Sequence, residues 1–427
     1  MSEIHLVVGL DIGTTKICAL VGRKNEYGKV EILGMGKAPS AGVQRGVVAN
    51  IDKTVEGIME AVKLAEERSG VEIKDVTVGI AGQHIKSIQH RGSYTRENNE
   101  TEISQYDVDR LIENIFKLTV NPGEEIIHVL PQEFTLDGTQ ITTEPVGMNA
   151  ILMEANCHVI TGQISAAKNI TKCVNKSGLQ LETMTLEPLA SAEAVLTDEE
   201  KEEGVVLVDI GGGTTDIAIF YEGIIRHTAV IPFGGNIITE DIREGCGVMR
   251  NQAEQLKVKF GSALAEFAKD QDIITIPGLK GREPKEVSMK NLADIIQARM
   301  AEILEHVCYE IKTSGVKDKL RGGIVVTGGG AHLRNLTQLI EYISGLDARI
   351  GFPNEHLAPS TLDELKSPMY ATGIGLVIKS LQTIDMYKNK TGTNEKREVK
   401  QRQKWINKLL EKGSEFFNDS IDDVEFK

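Results

Sequence analysis

The apolar and polar positions of this chain spell one phrase twice. Val7-Val8-Gly9-Leu10 reads as a buried strand running into Asp11-Ile12-Gly13-Thr14-Thr15-Lys16, and Val205-Val206-Leu207-Val208 runs likewise into Asp209-Ile210-Gly211-Gly212-Gly213-Thr214-Thr215-Asp216. Each copy ends on a carboxylate and turns on residues without bulk, so backbone N–H groups can approach an anion while the Asp faces a cation. Two such hairpins facing each other would clamp a polyphosphate and its Mg²⁺, a site made by duplication.

Between the copies the pattern predicts a strand at Val30–Lys37, a helix at Lys53–Arg68 carried by Ile58, Val62 and Ala65, and a strand at Val76–Ala81. From 85 to 162 the texture changes. A polar, charged stretch (Arg91–Glu102) precedes a helix with Leu111, Ile115 and Leu118 on one face, then short strands around Ile126–Leu130, Glu133–Leu136 and Ala150–Ile160. This reads as an inserted α/β subdomain. A helix at Ser165–Lys176 and a strand at Gln180–Leu186 follow, then a helix opening on Glu187-Pro188, where Pro suits the first turn. The acidic run Asp198–Glu203 reads as a solvated loop between halves.

After the second hairpin, 237–286 reads as a further insertion with two helices and the strand Ile273–Ile276. A long helix at Met289–Thr313, a strand at Gly323–Thr327, the triplet Gly328-Gly329-Gly330, a helix from about Leu333 and a last globular helix at Met369–Gln382 complete the body. The expected division is a first lobe of 1–84, 163–197 and 362–384 and a second of 198–236 and 287–361. Inserted subdomains occupy 85–162 and 237–286, followed by a linker over 385–400, an amphipathic helix over 401–417 and an acidic tail over 418–427.

Composition narrows the chemistry. A chain of 427 residues that is 41% hydrophobic supports two lobes or more. Its net charge of −14 argues against nucleic acid, whose binding rests on basic side chains. Five cysteines, odd in number and without any C-x-x-C, disfavour a disulfide framework and a zinc site, and read as small buried hydrophobes in a reducing compartment. No window approaches 18 consecutive apolar residues, and the N-terminus has no basic region or apolar core, so the expectation is a cytosolic chain that does not span a membrane. Neither G-x-x-x-x-G-K-[ST] nor a G-x-G-x-x-G in a βαβ setting is present, so the P-loop and dinucleotide classes lack their signatures.

The order of hairpin, hairpin and glycine turn (Val325-Val326-Thr327-Gly328-Gly329-Gly330-Ala331) resembles the actin-like ATPase superfamily. So do two stretches of small residues, Leu186-Glu187-Pro188-Leu189-Ala190-Ser191-Ala192 and Ser367-Pro368-Met369-Tyr370-Ala371-Thr372-Gly373, which look like its interlobe helices. The resemblance implies a duplicated, ribonuclease-H-like α/β fold of two lobes that binds ATP and Mg. By it, Gly13, Thr14, Thr15 and Lys16 meet the β- and γ-phosphates, and Gly211, Gly212, Gly213 and Thr214 close over the other side. Asp11 and Asp209 hold Mg²⁺ through waters, because Mg²⁺ dehydrates reluctantly. Gly234 and Gly235 permit approach to the sugar, Glu254 and Lys257 match ribose and adenine contacts, and Gly328, Gly329 and Gly330 lie against the adenosine. Glu187 matches the position that orients the attacking water, and its place at a helix start is expected to favour the ionised form. Its alternative is a first-turn acid serving only the helix dipole, so hydrolysis is slow or absent while binding stands.

The C-terminus selects a branch. Trp405, Leu409 and Phe416 share a helical face with Ile406, Leu410 and Phe417 beside them, and from Met386 to Lys412 nine Lys/Arg stand against three Glu. A tethered basic amphipathic helix suits an anionic cytoplasmic leaflet; docking on its own body is the alternative. With Gly42-Val43-Gln44-Arg45-Gly46-Val47-Val48 and Glu187–Glu193, a core of this length carrying an insertion at 85–162 resembles the FtsA family of bacterial division proteins. That implies an ATP-binding, self-polymerising adaptor at the cytoplasmic face of the inner membrane. It would tie the FtsZ C-terminal tail to the septum and recruit later division proteins. The inserted subdomain would serve as polymer contact and the second insertion would receive the FtsZ tail. The acidic end after Phe417 departs from the family's usual terminus. A scaffold of pilus assembly or cell shape, or a sugar-kinase-type phosphotransferase, would share the same hairpins; too few residues follow the core for a chaperone's peptide-binding domain.

Overall fold

Two five-stranded sheets repeat one topology. The first runs in the order Gln180–Leu186, Asp75–Ile80, Val7–Ile12, Lys16–Lys24, Val30–Pro39, and the second in the mirrored listing Ile224–Ile231, Thr215–Tyr221, Val205–Ile210, Ile324–Thr327, Ala348–Ile350. In both, the strand that carries the Asp, Asp11 or Asp209, pairs antiparallel with its hairpin partner on one side and parallel with a later strand on the other. Val7–Ile12 and Val205–Ile210 are buried at every position, as strands covered on both faces must be, which is why their sequences read as unbroken apolar runs. The computed structural model describes residues 5–97, 101–269, 271–278, 283–353, 356–359 and 363–390. Contacts divide the chain into Met1–Lys379 and Ser380–Lys427; the sheets, both insertions and the cleft all belong to the former.

Each lobe has its own core. Leu10, Ile17, Ile58, Ala61 and Val78 pack in the first, and Val208, Ile217, Ile242, Ile296, Ile303 and Ile340 in the second. The helix Ile51–Ser69 covers the first sheet; Asn50 caps it by accepting from Lys53 N, and Gly70 ends it in the left-handed conformation. The predicted long helix is Met289–Thr313, opened by Ser288 as N-cap. The helix after the glycine triplet begins at Leu336, later than expected, because residues 329–332 first form a 3₁₀ turn.

The inserted subdomain is a four-stranded sheet, ordered Lys86–Thr95, Leu152–Gln163, Glu124–Leu136, Gln140–Thr142, with the helix Gln105–Phe116 on one face. Leu111, Ile115, Phe134 and Met153 form its core. Two expectations fail here. Arg91 does not open a polar loop but lies within an edge strand paired along Leu152–Thr161, whose mostly solvated side chains hide its period. Pro131 does not divide two strands: Glu124–Leu136 is continuous, and the register jumps from Asn156↔Glu133 to Cys157↔Pro131, leaving Gln132 as a bulge. The freed Gln132 amide donates to Ile225 O of the second lobe at 2.6 Å, and the buried His158 ring lies 2.9 Å from Thr228 Oγ1. Thus the insertion, hung on the first lobe, also rests on the edge strand of the second.

The acidic run is likewise not a loop. Asp198–Glu203 is a short helix started by a capping box, Thr197 Oγ1 accepting from Glu200 N at 3.1 Å and the Glu200 carboxylate accepting from Thr197 N at 2.9 Å. Its acids sit where the helix dipole favours them. Among the described residues, no helix is long and apolar enough to cross a membrane. The expected amphipathic helix with Trp405, Ile406, Leu409, Leu410, Phe416 and Phe417 lies outside the described residues.

Candidate functional site

The two hairpins close in the same way and meet across a cleft. Gly13 N donates to Lys16 O at 3.0 Å in the first, and Gly211 N donates to Thr214 O at 2.9 Å in the second. A Cβ on Gly212 would fall 2.3 Å from Thr15 Cγ2, and one on Gly213 would fall 2.6 Å from Thr14 Oγ1, so any larger residue at either place would drive the tips apart. Thr14, Thr15, Gly212 and Gly213 are therefore brought together from residues far apart in the chain.

Behind the tips the acids differ in surroundings. Asp11 is buried and accepts from Lys16 Nζ at 2.9 Å. Burial opposes the charge of Lys16, yet the adjoining Asp11 carboxylate, with Asp209 beyond, raises its pKa, so it stays an ammonium. Asp209, also buried, accepts from two hydroxyls, Ser191 Oγ at 2.8 Å and Thr372 Oγ1 at 3.2 Å. Those hydroxyls belong to Glu187–Val195 and Ala371–Lys390, the two helices that cross between the lobes. They cross so closely that a Cβ on Gly375 would lie 1.8 Å from Ala190 O. Asp209 is thus fixed by both interlobe helices, a function of Ser191 and Thr372 that their reading as merely small residues missed.

Asp216 is the last residue of the second phrase. The antiparallel register sets it opposite Asp209. Its Oδ2 accepts from Thr214 Oγ1 at 3.0 Å, while Oδ1 is buried without a hydrogen-bond partner. Burial, reinforced by Asp209, pushes its pKa up to about 8. A four-residue turn between two strand-borne acids was the signal that could have placed this pair.

Glu187 corrects an expectation. It does begin its helix, but burial first, and then the charges of Asp11, Asp216 and Asp209, push its pKa well above the ordinary carboxylate range, with Lys16 opposing. Desolvation and three neighbouring acids outweigh a helix dipole, whose effect is about 0.3–1 kcal/mol at exposed sites. Burial and the three aspartates thus favour the neutral form of Glu187, against the expectation that its helix start would favour the ionised one.

The remaining residues line the second lobe's side. Gly235 N and Asn236 N donate to Gly211 O and Gly212 O at 2.9 and 2.8 Å, and a Cβ on Gly234 would meet Gly211 O at 2.6 Å. Gly234 and Gly235 therefore serve first to seat a helix start against the second hairpin. Lys257 Nζ donates to Glu254 Oε2, Gly235 O and Thr239 Oγ1, each at 2.8 Å, so Glu254 and Lys257 form one polar cluster beside that turn. Gly328, at φ +83, lies against Asp209, where a Cβ would come within 2.3 Å of Oδ1; Gly330 abuts Ile210; Gly329 faces open space.

Against the single ammonium of Lys16 stand Asp11, Glu187, Asp209 and Asp216. This excess, with one orphaned buried carboxylate oxygen, fits a site completed by a cation. Among the described residues no group of three or more metal-ligating side chains converges. A Mg²⁺ here would therefore take most of its ligands from phosphate and water, in keeping with its chemistry.

Comparison with known proteins bears on what such a cleft belongs to. A family model described as cell division protein FtsA matches residues 206–375, and one described as the SHS2 domain inserted in FtsA matches residues 82–161. The cell division protein FtsA of Pseudomonas aeruginosa is 40% identical over 377 residues, covering 88% of this chain and 89% of its own. A structure titled PilM-PilN type IV pilus biogenesis complex superposes with a TM-score of 0.64 at 16% identity, over 88% of this chain and 98% of that one. MreB5 of Spiroplasma citri bound to ADP gives 0.53 at 16% identity, over 91% and 99%. At such identities the last two show the fold, an actin-like one.

Proposed function

The chain belongs to the FtsA family of cell division proteins, and from that premise we propose that it binds Mg-ATP between its two hairpins and works as a polymerising adaptor. The adaptor would join the FtsZ C-terminal tail to the anionic cytoplasmic face of the inner membrane at the septum and bring in later division proteins. Membership of this family favours division over the pilus, cell-shape and sugar-kinase alternatives that the hairpins alone leave open.

One observation carries the nucleotide part: Asp209 is gripped by hydroxyls of both interlobe helices while facing the first hairpin's acid and lysine. A ligand held there engages every element that must move when the lobes move. The amides of residues 13–15 and 211–214 would receive phosphate oxygens, and the Thr14 and Thr214 hydroxyls lie among them. Asp11 and Asp209 would hold Mg²⁺ through waters, and the ion would supply positive charge beside these buried aspartates and a polyphosphate. Glu187 stands where this chain would orient water, and an ion held by Asp11 and Asp209 would offset the charges of those acids on it.

The membrane part rests on the sequence of 386–412, with nine Lys/Arg and three Glu, and on the apolar face of Trp405, Ile406, Leu409, Leu410, Phe416 and Phe417. Each basic residue near an anionic leaflet contributes about 1 kcal/mol, and subunits joined in a filament raise one another's effective concentration at the surface. Cosedimentation with anionic liposomes, with and without ATP and FtsZ tail peptide, tests the proposal. Trp405→Glu should keep ATP binding and lose pelleting, and pelleting at the wild-type level in that variant would remove the anchor.

A further inference from the structure

The tip of a small hairpin closes the cleft between the lobes, and its residue is unexpected. Val43–Gln44 pairs with Val47–Val48, Val43↔Val48 and Gln44↔Val47, leaving Arg45-Gly46 as a two-residue turn. Both have positive φ, 49° at Arg45 and 74° at Gly46, the pattern of a type I′ turn. Asn, Asp or Gly is the ordinary choice at the first of these positions; an arginine there carries the cost of a left-handed backbone with a long side chain. The turn's own geometry gives no reason for it.

Its position gives one. Gly46 N donates to Thr14 Oγ1 at 3.1 Å, tying the turn to the first hairpin. A Cβ on Gly213 of the second hairpin would lie 3.0 Å from Arg45 Cα. On a third side Gly82 meets the turn, where a Cβ on Gly46 would come 2.9 Å from Gly82 Cα. The backbone of Arg45 is therefore wedged where the two hairpin tips touch, while its side chain is exposed and its guanidinium has no hydrogen-bond or ion-pair partner among the described residues. The other cations near the cleft are engaged, Lys16 with Asp11 and Lys257 with Glu254. A triphosphate bound between the hairpin tips would bring negative charge towards this turn, and a guanidinium is suited to meet it.

We propose that Arg45 is a specificity-determining residue that binds the terminal phosphate of the nucleotide and lets the cleft tell a nucleoside triphosphate from a diphosphate. The inference rests on the nucleotide reading of the hairpins. It adds a residue from outside them, and because its turn spans first lobe, second hairpin and the base of the inserted subdomain, it makes that contact sensitive to how far the cleft is closed.

The test is equilibrium titration of the full-length protein with ATP and with ADP in excess Mg²⁺, comparing wild type with Arg45→Gly and Arg45→Lys. Glycine accepts φ 49° without strain, so R45G deletes the side chain while keeping the turn; its unfolding midpoint should equal or exceed that of the wild type. Loss of a charge-assisted contact should weaken ATP roughly tenfold or more while ADP affinity changes less than about twofold, with R45K between. An unchanged ATP-to-ADP affinity ratio in R45G would overturn the assignment and leave Arg45 a turn residue only. Failure of the wild type to bind either nucleotide would overturn the nucleotide reading itself, a result distinguishable from the first.

Discussion

The first and second hairpins share backbone, closure and leading aspartate, yet they treat charge in opposite ways. In the first, Lys16 neutralises Asp11, and the residue opposite Asp11 is Cys18, whose thiol burial pushes up to about 12. In the second, the position matching Lys16 is Thr214 and the position matching Cys18 is Asp216. One copy is balanced internally; the other carries two acids supported only by hydroxyls. A duplicated device has become asymmetric, with a fixed cation on one side of the cleft and unmet demand for a cation on the other. A site that binds a metal with an anion needs both characters.

The asymmetry can be broken most severely at Lys16. Lys16→Met leaves Asp11 buried without its cation and should cost about 3 kcal/mol of unfolding free energy in urea, the usual penalty for stripping one partner from a buried pair. A cost near that of an exposed lysine would mean the first hairpin is not internally balanced. Asp216→Asn should do the reverse. A carboxyl whose folded pKa is about 8 binds more protons folded than unfolded between pH 4 and 8, so its contribution to stability falls as pH rises across that window. D216N removes this slope; in chelator its advantage over the wild type should grow by up to about 1.4 kcal/mol for each pH unit between pH 5 and pH 8. A stability difference that does not change with pH would show Asp216 to be an ordinary ionised acid. The smallest effect belongs to Thr214→Val, which deletes one hydrogen bond to Asp216 and should cost about 1 kcal/mol in the same assay. A cost as large as that of K16M would erase the difference between the hairpins.

Most elements were legible because their apolar periods were clean. Gln180–Leu186 and the long helix Met289–Thr313 match their expected bounds, and the two central strands announced themselves as uninterrupted apolar runs. What the pattern hid were elements held by something other than burial: an edge strand at Lys86–Thr95 with one solvated face, a strand that accommodates Pro131 through a bulge, and a six-residue acidic helix made by a capping box. At the candidate site, the glycine and threonine turns could be read because their residue types are unusual. Electrostatics could not. The upward pKa shift of Glu187 depends on burial and on Asp11, Asp209 and Asp216 arriving from other segments, and the grip on Asp209 comes from helices that begin before it and more than a hundred residues after it. Arg45 lies in a family-like phrase, but only the register of its turn shows that an arginine there is out of keeping.

The claim on which the rest depends is that the hairpins form one magnesium-nucleotide clamp. Calorimetric titration of ATP into wild type and Asp209→Ala, with Mg²⁺ and with chelator, tests it most directly. In D209A the Ser191 and Thr372 hydroxyls, 3.0 Å apart, can still bond each other, so the fold should persist and be checked by its unfolding midpoint. The account predicts Mg²⁺-dependent binding by the wild type and a loss of roughly a hundredfold or more in the variant, the scale expected when a buried charged contact is removed. Binding of equal strength in both proteins, or binding indifferent to Mg²⁺, would contradict it.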